Sequence, residues 1–137
     1  MSKWILVTLL LGIATFIASP YIWIPPPGVP VPTPSQVPYF IILSLFESFS
    51  FGLGVAFLLF AYPTMRKTSK DSKIASILLY LAIGWLLISW WVHDGFHKVN
   101  GENLQGLLLI EYAFHLTLIL AGTLAAFSFM RILLQKA

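Results

Sequence analysis

Four apolar stretches, each long enough to cross a bilayer as a helix, constrain this chain more than any other feature. A membrane-crossing helix needs about 20 consecutive apolar residues. The stretches occupy residues 4–24, 39–62, 74–97 and 104–134, so they account for most of the 137 residues. Hydrophobic residues make up 58% and charged residues only 9% of the chain, where an ordinary soluble domain carries about 25% charged residues. A soluble fold this short leaves a large share of its surface in water and could not hide so much apolar area. The expected fold is therefore all-α: a single integral membrane four-helix bundle over residues 1–137. Lys3 ahead of an apolar run has the outline of a secretory signal, but no small-x-small cleavage site succeeds it, and a retained first helix is expected.

The segment between the first two spans, 25–38, begins Pro25-Pro26-Pro27-Gly28-Val29-Pro30-Val31-Pro32-Thr33-Pro34. Proline fixes φ and removes the amide donor, so this loop is expected to be extended polyproline II, able to reach across the mouth of a small bundle. The turn Val99-Asn100-Gly101-Glu102-Asn103 is short and polar, with Asn103 a natural N-cap. Helices three and four should form a tight antiparallel hairpin.

The cations set the orientation. Lys3, Arg66, Lys67, Lys70, Lys73, Arg131 and Lys136 fall on one side if the helices alternate, and Lys98 alone falls on the other. Lys and Arg accumulate on the cytoplasmic side, which predicts both termini and the 64–73 loop inside, with the Pro-rich loop and the 98–103 turn outside. The plasma membrane is the expected location, and some of Trp85, Trp90 and Trp91 are expected in its interfacial aromatic belt. No basic stripe suggests nucleic acid.

Against this background the rare polar residues stand apart. His93, His97, His115, Glu47, Asp94, Glu102 and Glu111 all lie in the outer half or outer turn, whereas Asp71 sits among the cytoplasmic lysines. At about 1.5 Å rise per residue, His93 lies roughly 9 Å below the outer turn, Glu111 about 11 Å, Glu47 about 13 Å and His115 about 17 Å, with His97 near the surface. His93 and His97 share a helix face, as do Glu111 and His115, and Ser44, Glu47 and Ser48 form a small polar face on the second helix. Ser89 extends the His93/His97 face inward. Gly122 and Ala126 continue the Glu111/His115 face and are expected to permit close packing.

An ionisable group in the hydrocarbon layer costs at least about 2.5–3.5 kcal/mol, which makes such residues functional candidates. Imidazole and carboxylate ligands at this spacing suit a transition metal. The expected ligands are His93, His97, Glu111 and His115, with Glu47 as a fifth ligand or an orienting partner and Asp94 as another such partner. Zinc or copper is favoured, and iron is also admissible. Haem b held by His115 and either His93 or His97 is the alternative, disfavoured by unequal depth. A proton path through Glu47 and Glu111, or simple hydrogen bonding between helices, is a further option.

The chain has no Cys, which excludes disulfides and thiolate-ligated zinc or iron–sulfur centres. Phosphate-cradling loops, a GxSxG elbow and a zincin helix are absent, and Ser44, Ser48 and Ser50 have no second-helix His to make a hydrolase. Two function classes are left. One is a metal-bearing subunit of a larger membrane oxidoreductase. The other is a non-catalytic accessory subunit, with further membrane subunits or a second copy of the chain as partners.

Overall fold

The computed structural model describes residues 2–68 and 73–134, with side chains placed for 2–67 and 73–131. Lys70, Asp71 and Lys136 therefore lie outside the described residues. Among the described residues every regular element is helical. They are α1 (Lys3–Ile22), α2 (Val37–Phe60), α3 (Tyr62–Thr68), α4 (Lys73–Asn100), α5 (Leu104–Ile110), a π-helical turn (Glu111–Leu116) and α6 (Thr117–Leu134). Four continuous helical rods are long and apolar enough to span a membrane: α1, α2, α4, and α5 through the π turn into α6. The protein is thus a helical membrane protein by length and composition.

Local chemistry explains where the helices start. Gln36 Oε1 accepts from the Thr33 amide at 2.9 Å while the Gln36 amide donates to Thr33 O at 2.8 Å, a reciprocal clasp ahead of α2. Asn103 Oδ1 accepts from the amides of Gln105 at 3.1 Å and Gly106 at 3.5 Å, capping α5 as its residue type suggested. Only Gly101 and Glu102 separate the end of α4 from this cap, and Gly101 takes the positive φ of 52° that the reversal needs.

The Pro-rich segment departs from an unbroken extended run. Gly28 has φ of 90°, and the Val29 amide reaches Pro26 O at 3.4 Å, so the chain turns in the middle of the loop. Glycine is the one residue of the run free to adopt that conformation. The turned loop lies against the 99–103 reversal, close enough that a Cβ on Gly101 would stand 3.3 Å from Val29 Cγ2. Loop and reversal together make up the loop end of the bundle.

The rods stand in a row, α1 along α2, α2 along α4, and α4 along α5–α6. Small residues allow the close approaches, as they do wherever helices pack in lipid without a hydrophobic drive. A Cβ on Gly52 would lie 2.5 Å from Thr8 O of α1, and one on Gly54 would lie 2.6 Å from Ile88 of α4. Gly122 plays no such part, contrary to expectation: a Cβ there would meet nothing within 4 Å, and Ala126 is not among the buried residues. The inward stripe of the last rod is instead Ile110, Phe114 and Ala121. The π turn absorbs one residue more than an α turn and so rotates the residues beyond it away from the face projected for an uninterrupted α-helix.

Indole tethers hold α4 on both sides. Trp91 Nε1 donates to Ser19 Oγ of α1 at 2.7 Å, and Trp85 Nε1 donates to Thr117 Oγ1 at 3.0 Å. Trp90 alone of the three tryptophans in this stretch is exposed, facing outward as an aromatic-belt residue does.

Candidate metal centre

The three histidines converge. His93 Nε2 lies 2.8 Å from His115 Nε2 and 3.1 Å from His97 Nε2, and one ligating nitrogen from each falls within 4.8 Å of the others. His93 and His97 are one turn apart on α4, with ring centroids 4.5 Å apart. His115 approaches from the π turn. That turn also carries Glu111, whose Oε2 is 2.5 Å from Nδ1 of His115. The carboxylate thus holds the side of the imidazole opposite the convergence point.

This arrangement fixes the chemistry of the cluster. An ionised carboxylate only accepts, so the Nδ1–H of His115 donates to Glu111, and in the neutral imidazole Nε2 then presents its lone pair toward His93. His93 Nε2 faces both other nitrogens, yet an in-plane ring nitrogen carries either one proton or one lone pair. A proton on it points at one neighbour and leaves the other without a directed bond. A cation placed between three lone pairs satisfies all of them. Three nitrogens bound tetrahedrally at about 2.0–2.1 Å would stand roughly 3.3 Å apart. The two His93 spacings of 2.8 and 3.1 Å are a few tenths of an ångström short of that, and the remaining pair lies within 4.8 Å.

Aromatic rings wall the cluster on its inner side. Phe114 is buried, stacks on Trp85 at 5.7 Å, and meets the His93 ring edge-on at 5.6 Å. Trp90 meets His93 edge-on at 6.2 Å. On the other side the cluster is open: the side chains of His115 and Glu111 are 38% and 56% exposed. A three-histidine site with one open flank keeps a coordination position for water or substrate, as catalytic zinc sites do.

Glu47 and Asp94 are not among the groups that converge with the three imidazoles. Glu47, buried in α2, faces Asp94 and Lys98 of α4, and Lys98 Nζ pairs with Asp94 Oδ2 at 2.5 Å. These groups occupy the face of α4 toward α2, whereas the histidines occupy the face toward the π turn. Depth placed Glu47 beside the histidines, but depth carries no information about azimuth. The pairing of Lys98 with Asp94 is the signal that depth alone passes over, although their i,i+4 spacing announces it. Gly95, between the two α4 histidines, contributes without any chemical signature in the sequence. It makes room for Trp23, whose ring a Cβ there would strike. Trp23 in turn meets Trp91 and Phe96 at 5.3 and 5.7 Å, which braces the histidine-bearing turn from behind.

Set against known proteins, the chain matches no family model, no curated sequence and no solved structure.

Proposed function

We propose that the chain carries one transition metal ion near the loop end of the bundle, ligated by Nε2 of His93, His97 and His115. Glu111 holds His115 in the ligating tautomer, as carboxylates behind metal-bound histidines do. A second role for Glu111 is as a fourth ligand in place of its bond to Nδ1 of His115. The observation that carries the proposal is the convergence of three Nε2 atoms that cannot all be satisfied by protons. All-imidazole ligation suits zinc or copper, with iron behind them. Haem b is disfavoured, because a porphyrin ligated by two histidines stands between them and 2.8 Å leaves no room for it. Glu47 belongs with Asp94 and Lys98 to the charged cluster on the α2 side of α4 and is left out of the ligand set.

The protein is, on this reading, a metal-bearing subunit of a larger membrane oxidoreductase in the plasma membrane. Four helices with little chain outside the bilayer offer the metal one open position but little room for a second substrate site. That shortage supports partner subunits or a second copy of the chain. The accessory-subunit reading keeps the same fold and needs no metal. Elemental analysis and an optical spectrum of the purified protein separate the two. About one metal per chain is expected; metal well below one per chain, with no haem band, would defeat the metal reading.

The cation asymmetry supports an orientation with both termini cytoplasmic, helices three and four as an antiparallel hairpin, and the metal near the outer surface. Because the chain lacks Cys, single cysteines at Thr33, Ser69 and Asn100 report topology cleanly. Thr33→Cys and Asn100→Cys should react with an impermeant thiol reagent in intact cells, and Ser69→Cys should not. The reverse pattern would invert the topology.

A further inference from the structure

On the side of α4 away from the histidines, at the loop end, a cavity of about 550 Å³ lies between α1 and α2. Its size falls in the range of small-molecule sites, about 300–1,000 Å³. Pro25 and Pro32 of the turned loop border it, and Trp23 and Phe40 form aromatic walls. Its polar lining residues are Ser19, Tyr21, Ser44 and Lys98. The Ser19 hydroxyl is already engaged, donating to Thr15 O and accepting from Trp91 Nε1, and Tyr21 is largely exposed. Ser44 makes no hydrogen bond to the protein among the described residues, so its hydroxyl is available as a donor. The flanking surfaces of α1 and α2 are apolar and exposed, including Ile17 and Ile41, so the cavity opens sideways toward the bilayer rather than toward water.

The charge balance narrows the occupant. Among the described residues Lys98 is the only Lys or Arg at this end of the rods, and it is paired with Asp94. The cavity therefore offers hydrogen-bond donors without net positive charge. An anionic head group would stand close to the Asp94 carboxylate with no free cation to meet it. A neutral head that only accepts hydrogen bonds fits, and aromatic walls favour a flat one. An apolar tail could leave through the lateral opening.

We propose that this cavity binds a membrane quinone, its ring between Trp23 and Phe40 and a carbonyl oxygen accepting from Ser44 or Lys98. The site is separate from the histidine cluster, so the proposal stands whether or not the metal is present.

The test uses the full chain in detergent, both untreated and stripped of metal by a chelator, titrated with the short-tailed quinone decyl-ubiquinone. Quinones quench nearby indoles, so tryptophan fluorescence should fall saturably, with about one quinone retained per chain on gel filtration. Trp23→Phe should remove most of the quenching while retention persists. Ser44→Leu, which fills the cavity, should weaken binding at least about tenfold, and Ser44→Ala, which removes only the donor, about threefold. Chelation should change none of this, so failure of the metal reading and failure of this one are distinguishable. Non-saturable quenching equal in wild type and Ser44→Leu would overturn the proposal. So would oleate displacing the quinone at concentrations below those at which the quinone binds, which would mark an anionic lipid site instead.

Discussion

The two faces of α4 at the loop end carry similar inventories of ionisable side chains and solve the cost of burying them in opposite ways. Toward α2, Asp94 and Lys98 form an ion pair with Glu47 beside them, so positive and negative groups meet within the protein. Toward the π turn, His93, His97 and His115 bring three like groups together with Glu111 behind one of them. The first set is complete as it stands, apart from the excess of one acid. The second, on the proposed reading, is completed by a metal ion. Adjacent residues, His93 and Asp94, thus point into different chemistry because a helix turns about 100° per residue.

The largest effect expected from breaking this contrast falls on His93, whose nitrogen touches both other imidazoles. His93→Ala should abolish stoichiometric metal, a greater loss than the roughly 10–100-fold that removal of an outer partner brings. His115→Ala should match it and should also destabilise the protein, since it strips Glu111 of its partner at membrane depth. His97→Ala should do less, because His97 lies nearest the end of α4 and water can replace it. Metal content per chain after dialysis checks all three. Equal occupancy in wild type and His93→Ala would leave the two faces alike, both structural.

Glu111 comes next. Glu111→Ala should weaken metal affinity by about 10–100-fold, through loss of the tautomer that frees Nε2 of His115. Competition with a chelator of known affinity measures it. An effect as large as that of His93→Ala would mean that Glu111 is itself bonded to the ion. The measurement therefore decides between the two roles available to this carboxylate.

Hydropathy made the four rods legible because bilayer thickness demands uninterrupted apolar length. Helical spacing made the pairs His93/His97 and Glu111/His115 legible, since each lies within one rod. What escaped were relations between rods. Helical rise puts Glu47 at a depth like that of the histidines, but it meets Asp94 and Lys98 of α4, a relation of azimuth that depth does not carry. The π turn escaped too. Residues 111–116 contain no proline or glycine to announce it, and it displaced the inward stripe from Gly122 to Ala121. π turns are rare and gather at functional sites. Here the turn is the element that delivers both Glu111 and His115.

The smallest effect expected is the sharpest test of separateness. Glu47→Gln keeps the side chain's size and one acceptor oxygen, replaces the other with an amide donor, and removes the capacity for charge. The Asp94–Lys98 pair survives it, because those two residues satisfy each other one turn apart on α4. If the faces are independent, metal affinity should change by less than about twofold, the range within which distant and unshared sites combine additively. Thermal stability of the purified protein should move little as well, since one acid in excess of the cations is lost rather than the partner of a charge. Were Glu47 a fifth ligand, the same substitution would cost affinity on the scale of Glu111→Ala, and the double variant with Glu111→Ala would show strong coupling. A chelator titration of wild type, the two single variants and the double variant distinguishes the cases in one cycle. Additivity assigns Glu47 to the charged cluster between α2 and α4; coupling merges the two faces into one site spanning the width of α4.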